Sequence, residues 1–252
     1  MFNFFAKEGS RQGNLYYITD ADCNHIKNVL RMKAGDTLLV SDGGVSHLCK
    51  LQSLSADTVT VEITEENYQS TTLPVKLYLF QGLPKSDKME LVIQKAVELG
   101  AAGIIPVEMK RSVVKLDDKK KQSKVARWQL IAESAAKQSK CSYIPTVFPV
   151  TSYADAVKQA AEMDMILVPY ECAEGMKATT EALNAIKAGM SVGIFIGTEG
   201  GFEPAEIDRV KAAGGKIISL GQRILRTETA AIASVAMCML HIEMNICEDN
   251  NG

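Results

Sequence analysis

Two short glycine-rich stretches in the last quarter of the chain carry residues that could hold a ligand and act on it. The first is Gly197-Thr198-Glu199-Gly200-Gly201-Phe202 and the second is Gly221-Gln222-Arg223-Ile224-Leu225-Arg226. The first follows an apolar run, residues 192–196, that reads as a buried strand, the second a short strand at residues 216–220, and each leads into a helix. Glycines at such a place let the backbone approach a ligand closely and offer it N–H and C=O groups. Taken singly, both are ordinary strand-to-helix turns. Side by side at the end of a parallel sheet, they would face one ligand. The charged side chains of the two stretches are Glu199, Arg223 and Arg226, and Glu228 follows at the start of the second helix. Neither a G-x-G-x-x-G fingerprint nor a phosphate-binding P-loop occurs. The residues alone therefore mark a binding place and leave its ligand open.

The elements that must position these turns follow from the pattern upstream. Beyond residue 74 short apolar strands alternate with amphipathic helices, which implies a largely parallel, three-layer α/β domain. Residues 75–80 form its first strand and 88–99 a helix with Met89, Val92, Ile93, Ala96 and Val97 inward, capped by Ser86 or Asp87. Residues 103–107 are the next strand, and a helix spans about 122–138. Residues 164–170 are a further buried strand, whose exit at Val168, Pro169 and Tyr170 falls where open α/β sheets bind ligands. Pro204 suits the first turn of one helix, and Thr227 reads as the cap of the last, which is apolar almost all round over residues 228–244. Such a helix must be buried.

Residues 1–72 read differently, as short strands (14–18, 37–40, 47–51 and 58–63) around a helical piece at 21–32 with Ile26, Val29 and Leu30 inward. Strands at this spacing predict a small barrel. The polar, aperiodic residues 65–72 read as the linker, dividing the chain into domains at 1–72 and 73–252.

At 252 residues, with 46% apolar and 23% charged, the composition is that of a soluble globular protein. The longest apolar run, 230–240, is too short for a bilayer. The N-terminus lacks the basic flank and long apolar region of a signal peptide. Six cysteines without C-x-x-C spacing predict neither a metal site nor a disulfide framework, and fit a reducing cytoplasm. The net charge of −2 is unevenly spread. Between residues 110 and 140, ten Lys/Arg face only Asp117, Asp118 and Glu133, whereas residues 162–252 carry seven basic and thirteen acidic side chains. A local positive patch can steer a polyanion to an acidic protein, although a solvated lysine-rich face gives the same pattern. Arg11 and Arg31 are the N-terminal residues that could meet phosphate, with plain surface charge the alternative.

I-G-T-E-G-G-F followed by L-G-Q-R-I-L-R-T-E-T-A resembles the paired signature of the RsmE family, and the resemblance runs along nearly the whole chain. K-x-D-K-M-E begins at Lys85, E-L-G follows at Glu98, Arg111-Ser112-Val113 match a family loop, and R-W-x-x-I begins at Arg127. The resemblance implies a SPOUT-class enzyme: a C-terminal domain with a trefoil-knotted parallel sheet and an N-terminal PUA-like RNA-binding barrel. It implies a homodimer that transfers methyl from S-adenosylmethionine to N3 of a uridine in the 16S ribosomal RNA of the small subunit, without a metal. Cofactor contacts would come from Val168, Pro169, Tyr170, Ile196, Gly197, Thr198, Gly200, Gly201, Leu220, Gly221, Arg223, Ile224 and Leu225. Arg226 would act on the RNA or on charge developing at the base, with Glu228 or Glu199 as proton acceptor or as a helix-start acid. Arg11, Arg31, Lys85, Lys88, Arg111 and Lys140 would touch RNA. Two departures stand out: Thr198 replaces the family's usual Pro, and Cys141 sits near the place where the family usually has an Arg, leaving Lys140 to serve in its stead. The other readings are a methyltransferase acting on another RNA such as tRNA, and a catalytically silent RNA-binding assembly factor.

Overall fold

A computed structural model describes residues 1–171 and 175–247. It contains two compact units, one of Met1–Thr72 with Ala136–Ile144, the other of Leu73–Ala135 with the residues from Pro145 on. In the first unit six strands form one sheet. They are β1 (Asn3–Phe5), β2 (Arg11–Gln12), β3 (Leu15–Thr19), β4 (Thr37–Asp42), β5 (Val45–Leu54) and β6 (Thr58–Gln69), in the order β1-β4-β5-β6-β3-β2. Strict alternation in β6 turns Val59, Val61 and Ile63 inward against Tyr16, Leu38, Cys49 and Leu51. The sheet is rolled. β3 lies three strand spacings from β4, about 14 Å on a flat sheet, yet the Tyr16 hydroxyl donates to Asp42 at 2.9 Å.

Two expectations for this unit need correction. Helix α1 (Asp20–Asn24) gives way to a π-helical turn, His25–Val29, closed by Leu30 N–H on the His25 carbonyl at 2.9 Å. That wider turn shifts the phase of the side chains, so Ile26 is buried but Val29 is exposed. The expected linker is largely strand: Glu65–Gln69 continue β6, pairing with Leu48 and Ser46 of β5. Both faces there are wet, so the sequence shows no alternation. The chain then leaves through Thr71, whose amide and hydroxyl bond Ser142 at 3.0 and 2.9 Å. Ser41, Ser46 and Asn3 add a buried polar cluster, with Asn3 Nδ2 donating to the Cys141 carbonyl at 3.0 Å.

The second unit is a parallel sheet between helices, in the order β10-β8-β7-β12-β11-β13 with β9 also on β8. Its strands are β7 (Lys76–Gly82), β8 (Gly103–Glu108), β9 (Thr146–Val147), β10 (Thr151–Ser152), β11 (Met165–Pro169), β12 (Ser191–Ile196) and β13 (Lys216–Ile218). The helices are α2 (Lys88–Glu98), α3 (Asp118–Ser139), α4 (Tyr153–Ala161), α5 (Lys177–Asn184), α6 (Pro204–Ala212) and α7 (Thr227–Ile242). Phe80 of β7 and Phe195 of β12 stack at 4.4 Å on one face, with Tyr153 edge-on. The strand order places β11 between β12 and β13, so the two glycine turns flank a third strand end and are not direct neighbours.

Helix α7 packs on α2, β7 and β12 through Ala231, Ser234, Val235, Cys238 and Ile242. It continues as a π-helical turn, so the 21-residue span Thr227–Cys247 has the length and apolarity of a membrane span. The apolar run alone implies otherwise. Here one face of the helix belongs to the core of a globular unit. Among the described residues Cys23, Cys49, Cys141 and Cys238 are buried. Cys172 lies outside the described residues.

Candidate functional site

Because all the strands run the same way, the ends of β12, β11 and β13 open on one side of the sheet and enclose a cavity of about 510 Å3. Ile196 to Phe202 form one wall, Pro169 to Glu171 the second, and Ser219 to Thr227 the third, with Lys88 and Ala230 completing it. Twelve of the thirteen residues predicted for the cofactor line this cavity: Pro169, Tyr170, Ile196, Gly197, Thr198, Gly200, Gly201, Leu220, Gly221, Arg223, Ile224 and Leu225. Val168 does not. It precedes the strand exit and is wholly buried in the core beneath the sheet.

Local geometry explains why these turns need their sequences. Gly221 has φ +103°, a conformation L-residues avoid. At Gly82, the end of β7, a Cβ would lie 2.4 Å from Met109 Sδ and 3.0 Å from the Thr198 backbone nitrogen, so the strand end can approach the first turn only without a side chain. Thr198 folds that turn itself. Its carbonyl accepts from Gly201 N–H at 2.9 Å and its hydroxyl accepts from Gly200 N–H at 3.3 Å. The departure from proline therefore brings a bond that proline could not make. Glu203 then caps α6 in a reciprocal box with Glu206, and Pro204 occupies the first helical turn as expected.

Thr227 is not the cap of α7. Arg226 holds that position, in extended conformation, and Thr227 is the first helical residue. Its hydroxyl instead donates to the Gly197 carbonyl at 2.6 Å and accepts from Gln81 Nε2 at 3.0 Å. Thr227 thus ties the second turn to the first, and through Gln81 to β7. Gln81 is fully buried and is not among the predicted residues, although a lone amide inside the apolar run Leu77 to Leu83 is a visible signal. Its Oε1 has no partner.

The charged residues divide into engaged and free. Lys88 lies 3.1 Å from Glu199 and 3.3 Å from Glu228. The second contact is an ion pair without hydrogen-bond alignment, which leaves the buried Glu228 Oε2 without a directed donor. At Glu199 burial opposes ionisation. The N–H groups of Glu199 and Lys85 and the Lys88 ammonium outweigh it and hold the carboxyl below the ordinary glutamate value. The contact with Glu199 raises the Lys88 ammonium above its ordinary value against burial, and Glu228 adds to that. Arg111 is engaged as well, its Nε donating to Glu203 at 2.7 Å and a terminal nitrogen to the Gly200 carbonyl at 2.8 Å. By contrast the guanidinium groups of Arg223 and Arg226 on the third wall make no hydrogen bond or ion pair with any described residue, and Ile224 between them is 84% exposed.

Of the residues predicted to touch RNA, Lys88 and Arg111 are thus held at this site, and Lys85 is exposed beside it. In the first unit Arg11 donates to the Gly13 carbonyl at 3.1 Å and pairs with Glu66. Arg31 and Lys140 are exposed, at φ +53° and +59°. Among the described residues no His/Cys/Asp/Glu cluster could hold a metal ion.

Residues 71–239 match the model of an RNA methyltransferase domain, and residues 18–64 that of an RNA methyltransferase PUA domain. Ribosomal RNA small subunit methyltransferase E of Bacillus subtilis is 38% identical over 242 residues, covering 94% of each chain. Its counterpart in Mesomycoplasma hyopneumoniae is 32% identical, over 95% of this chain and 99% of the relative. Among solved structures, a ribosomal RNA small subunit methyltransferase E from Neisseria gonorrhoeae, bound to S-adenosyl methionine, superposes with a TM-score of 0.80. It is 28% identical over 95% of this chain and 97% of its own.

Proposed function

The chain belongs to the ribosomal RNA small subunit methyltransferase E family, and on that footing we propose that it methylates N3 of a uridine in 16S ribosomal RNA, using S-adenosylmethionine. The observation that carries the reading is the glycine-walled cavity with two unpartnered guanidinium groups, Arg223 and Arg226, on its third wall. Its volume of about 510 Å3 falls within the usual range for small-molecule sites. Its walls mix apolar side chains (Ile196, Leu220, Leu225) with backbone groups of Gly197, Gly200 and Gly221, which suits an adenosyl group. The bound cofactor supplies an electrophilic methyl on a sulfonium for a one-step displacement.

The remaining chemistry falls to the chain. Uracil N3 carries a proton, and nitrogen becomes a nucleophile only as that proton leaves. Arg226 lowers the cost by placing a permanent positive charge beside the base, where negative charge develops on the ring carbonyls. The proton would pass to solvent across the open rim; as the bond from N3 to the methyl forms, the sulfur–methyl bond would break with its electron pair left on sulfur, so that a neutral thioether departs. Glu199, with a carboxyl held ionised well away from neutrality, is a weak acceptor and a firm anchor. We assign Glu199 and Glu228 to fixing Lys88, and Lys88 and Arg111 to bracing the walls. RNA contact outside the cavity falls to Lys85 here, and to Arg31, Arg11 and Lys140 of the first compact unit; we take residues 1–72 as the PUA-like domain serving the transferase of 73–252.

Homodimerisation belongs to the same proposal. It is supported by Leu240 and Met244, 49% and 58% exposed on the outer part of the last helix. So does the trefoil crossing: β13 lies beyond β11, yet α7 returns to β7 and β12. The free thiols of Cys23, Cys49, Cys238 and Cys247 support a cytoplasmic location. The test is to incubate the protein and S-adenosylmethionine with small subunits lacking the modification, then assay digested RNA for 3-methyluridine by mass spectrometry. Protein-dependent 3-methyluridine is expected. Cofactor binding with methylation of tRNA only would replace the reading by the tRNA enzyme. Loss of both would leave a silent binding factor.

A further inference from the structure

The loop between β7 and α2 has two sides. Lys88 at its end lines the glycine-walled cavity, whereas Pro84, Ser86 and Asp87 line a second cleft of about 190 Å3. The walls of this cleft are apolar: Leu83, Pro84, Met89 and Leu116, with Trp128 of α3 among them. Its polar groups lack close partners, although the Asp87 carboxylate acts through space on the Arg127 guanidinium. The Ser86 hydroxyl, the Asp87 carboxylate and the Lys124 ammonium make no hydrogen bond or ion pair with any described residue. Asp87 is especially telling. It occupies the N-cap of α2, where a carboxylate ordinarily accepts an N–H of the first turn, but its φ of −88° and ψ of 8° are not the extended capping conformation and no capping bond forms. Apolar walls with a few unpartnered polar groups are the signature of a ligand site.

We propose that this cleft receives one unstacked nucleobase of the substrate RNA, guanine in preference to the others, flanking the nucleotide in the main cavity. The inference rests on the RNA methylation proposed above. Charge selects the class of ligand. Exposed Lys85 lies between the lining residues Pro84 and Ser86, and exposed Lys115 between Val114 and Leu116, the latter in a segment (residues 110–140) with seven more basic than acidic side chains. Phosphates would meet these while the base leaves water for the apolar walls. Asp87 selects the base. A carboxylate is an acceptor with two parallel lone-pair directions. Guanine alone presents two adjacent donors, N1–H and N2–H, on its pairing edge. Cytosine and adenine set one amine beside a ring acceptor, and uracil sets its single N–H between two carbonyls. Lys124 neutralises the anion that would otherwise repel the approaching backbone.

Trp128 is the only tryptophan of the chain and only 4% exposed, so its fluorescence reports this cleft. The full-length protein, saturated with S-adenosylmethionine, would be titrated with guanosine and uridine monophosphates, exciting at the red edge of the indole band. Saturable quenching by the guanosine nucleotide is expected, roughly tenfold weaker with the uridine nucleotide and with Asp87→Asn, which keeps shape and removes the charge. Lys124→Glu should raise KM for small-subunit RNA roughly tenfold at near-constant kcat. Absent quenching, or quenching that both variants leave unaltered, overturns the proposal. Wild-type protein that does not methylate small-subunit RNA refutes the reaction, while the nucleotide titration still decides the cleft. Wild-type protein that methylates, alongside variants of unchanged KM, refutes the cleft alone.

Discussion

Replacing Thr227 by Val keeps the shape of the side chain and deletes one oxygen. That oxygen donates to the Gly197 carbonyl at 2.6 Å and accepts from Gln81 Nε2 at 3.0 Å, in a place only 5% exposed. A net hydrogen bond is worth about 0.5–1.5 kcal/mol, and a buried group left unpaired costs more. Gln81 keeps its second bond, to the Gly82 carbonyl at 2.8 Å, so the amide is not stranded. The expected loss is about 2 kcal/mol. The same change unties the carbonyl on the first wall of the cavity, so the Kd for S-adenosylmethionine should rise several-fold. Urea unfolding followed through Trp128, which lies in the same unit as both residues, gives the first number and calorimetric titration the second. The denaturant slope should not change. Gln81→Leu supplies a cycle: with both partners apolar, the double variant should be less destabilised than the sum of the singles by about 1 kcal/mol. A loss below about 0.5 kcal/mol, or strict additivity, would refute the claim that Thr227 couples the two turns.

Arg226→Ala should lose methyl transfer while leaving the Kd for S-adenosylmethionine within about twofold, because the guanidinium makes no hydrogen bond or ion pair that holds the described walls in place; Arg226→Lys should recover only part of the rate, lacking the planar fork. Measured cofactor affinity that falls with the rate would place Arg226 in the cofactor site instead. Gly221→Ala meets no atom within 4 Å, so its whole cost comes from the backbone at φ +103°, about 1–2 kcal/mol in urea unfolding. Glu199 has a depressed folded-state carboxyl, so its contribution to stability is present above the unfolded value of 4.5 and lost as pH falls through the lower folded value. The stability gap between wild type and Glu199→Gln should therefore be constant near neutrality and close in acid; a gap independent of pH down to full protonation would contradict the assignment.

What can be read from the sequence is what local grammar encodes. Strand, glycine turn and helix start follow one another within a dozen residues, so the cavity walls at 196–202 and 220–225 are legible in the order of residues alone. Their meeting is not, because it depends on β11 entering the sheet between β12 and β13, and no periodicity reports strand order. Thr227 shows the same limit on a smaller scale. Threonine before an apolar helix reads as a cap, but the buried amide of Gln81, 146 positions away, recruits its hydroxyl. Glu65–Gln69 escapes notice for the opposite reason. A strand wet on both faces shows no alternation, and only its pairing with β5 reveals it. Residues 136–144 join the first unit although α3 runs unbroken from Asp118, and nothing in a continuous helical pattern marks where its packing partners change.

The buried cysteines make each unit its own clock. Burial pushes the Cys49 and Cys238 thiols up to about 12, so almost no thiolate exists in the folded state near neutral pH. Alkylation at either position then requires opening of the surrounding structure. Cys23, Cys49 and Cys141 belong to the first unit and Cys238 to the second. A single alkylation time course, read by peptide mass, would follow the opening of each unit separately in the same tube. The half-exposed Cys247 would serve as the internal standard for reagent strength. Slowing at Cys238 alone when cofactor is added would locate ligand stabilisation in the second unit, without a label, a fluorophore or a substitution.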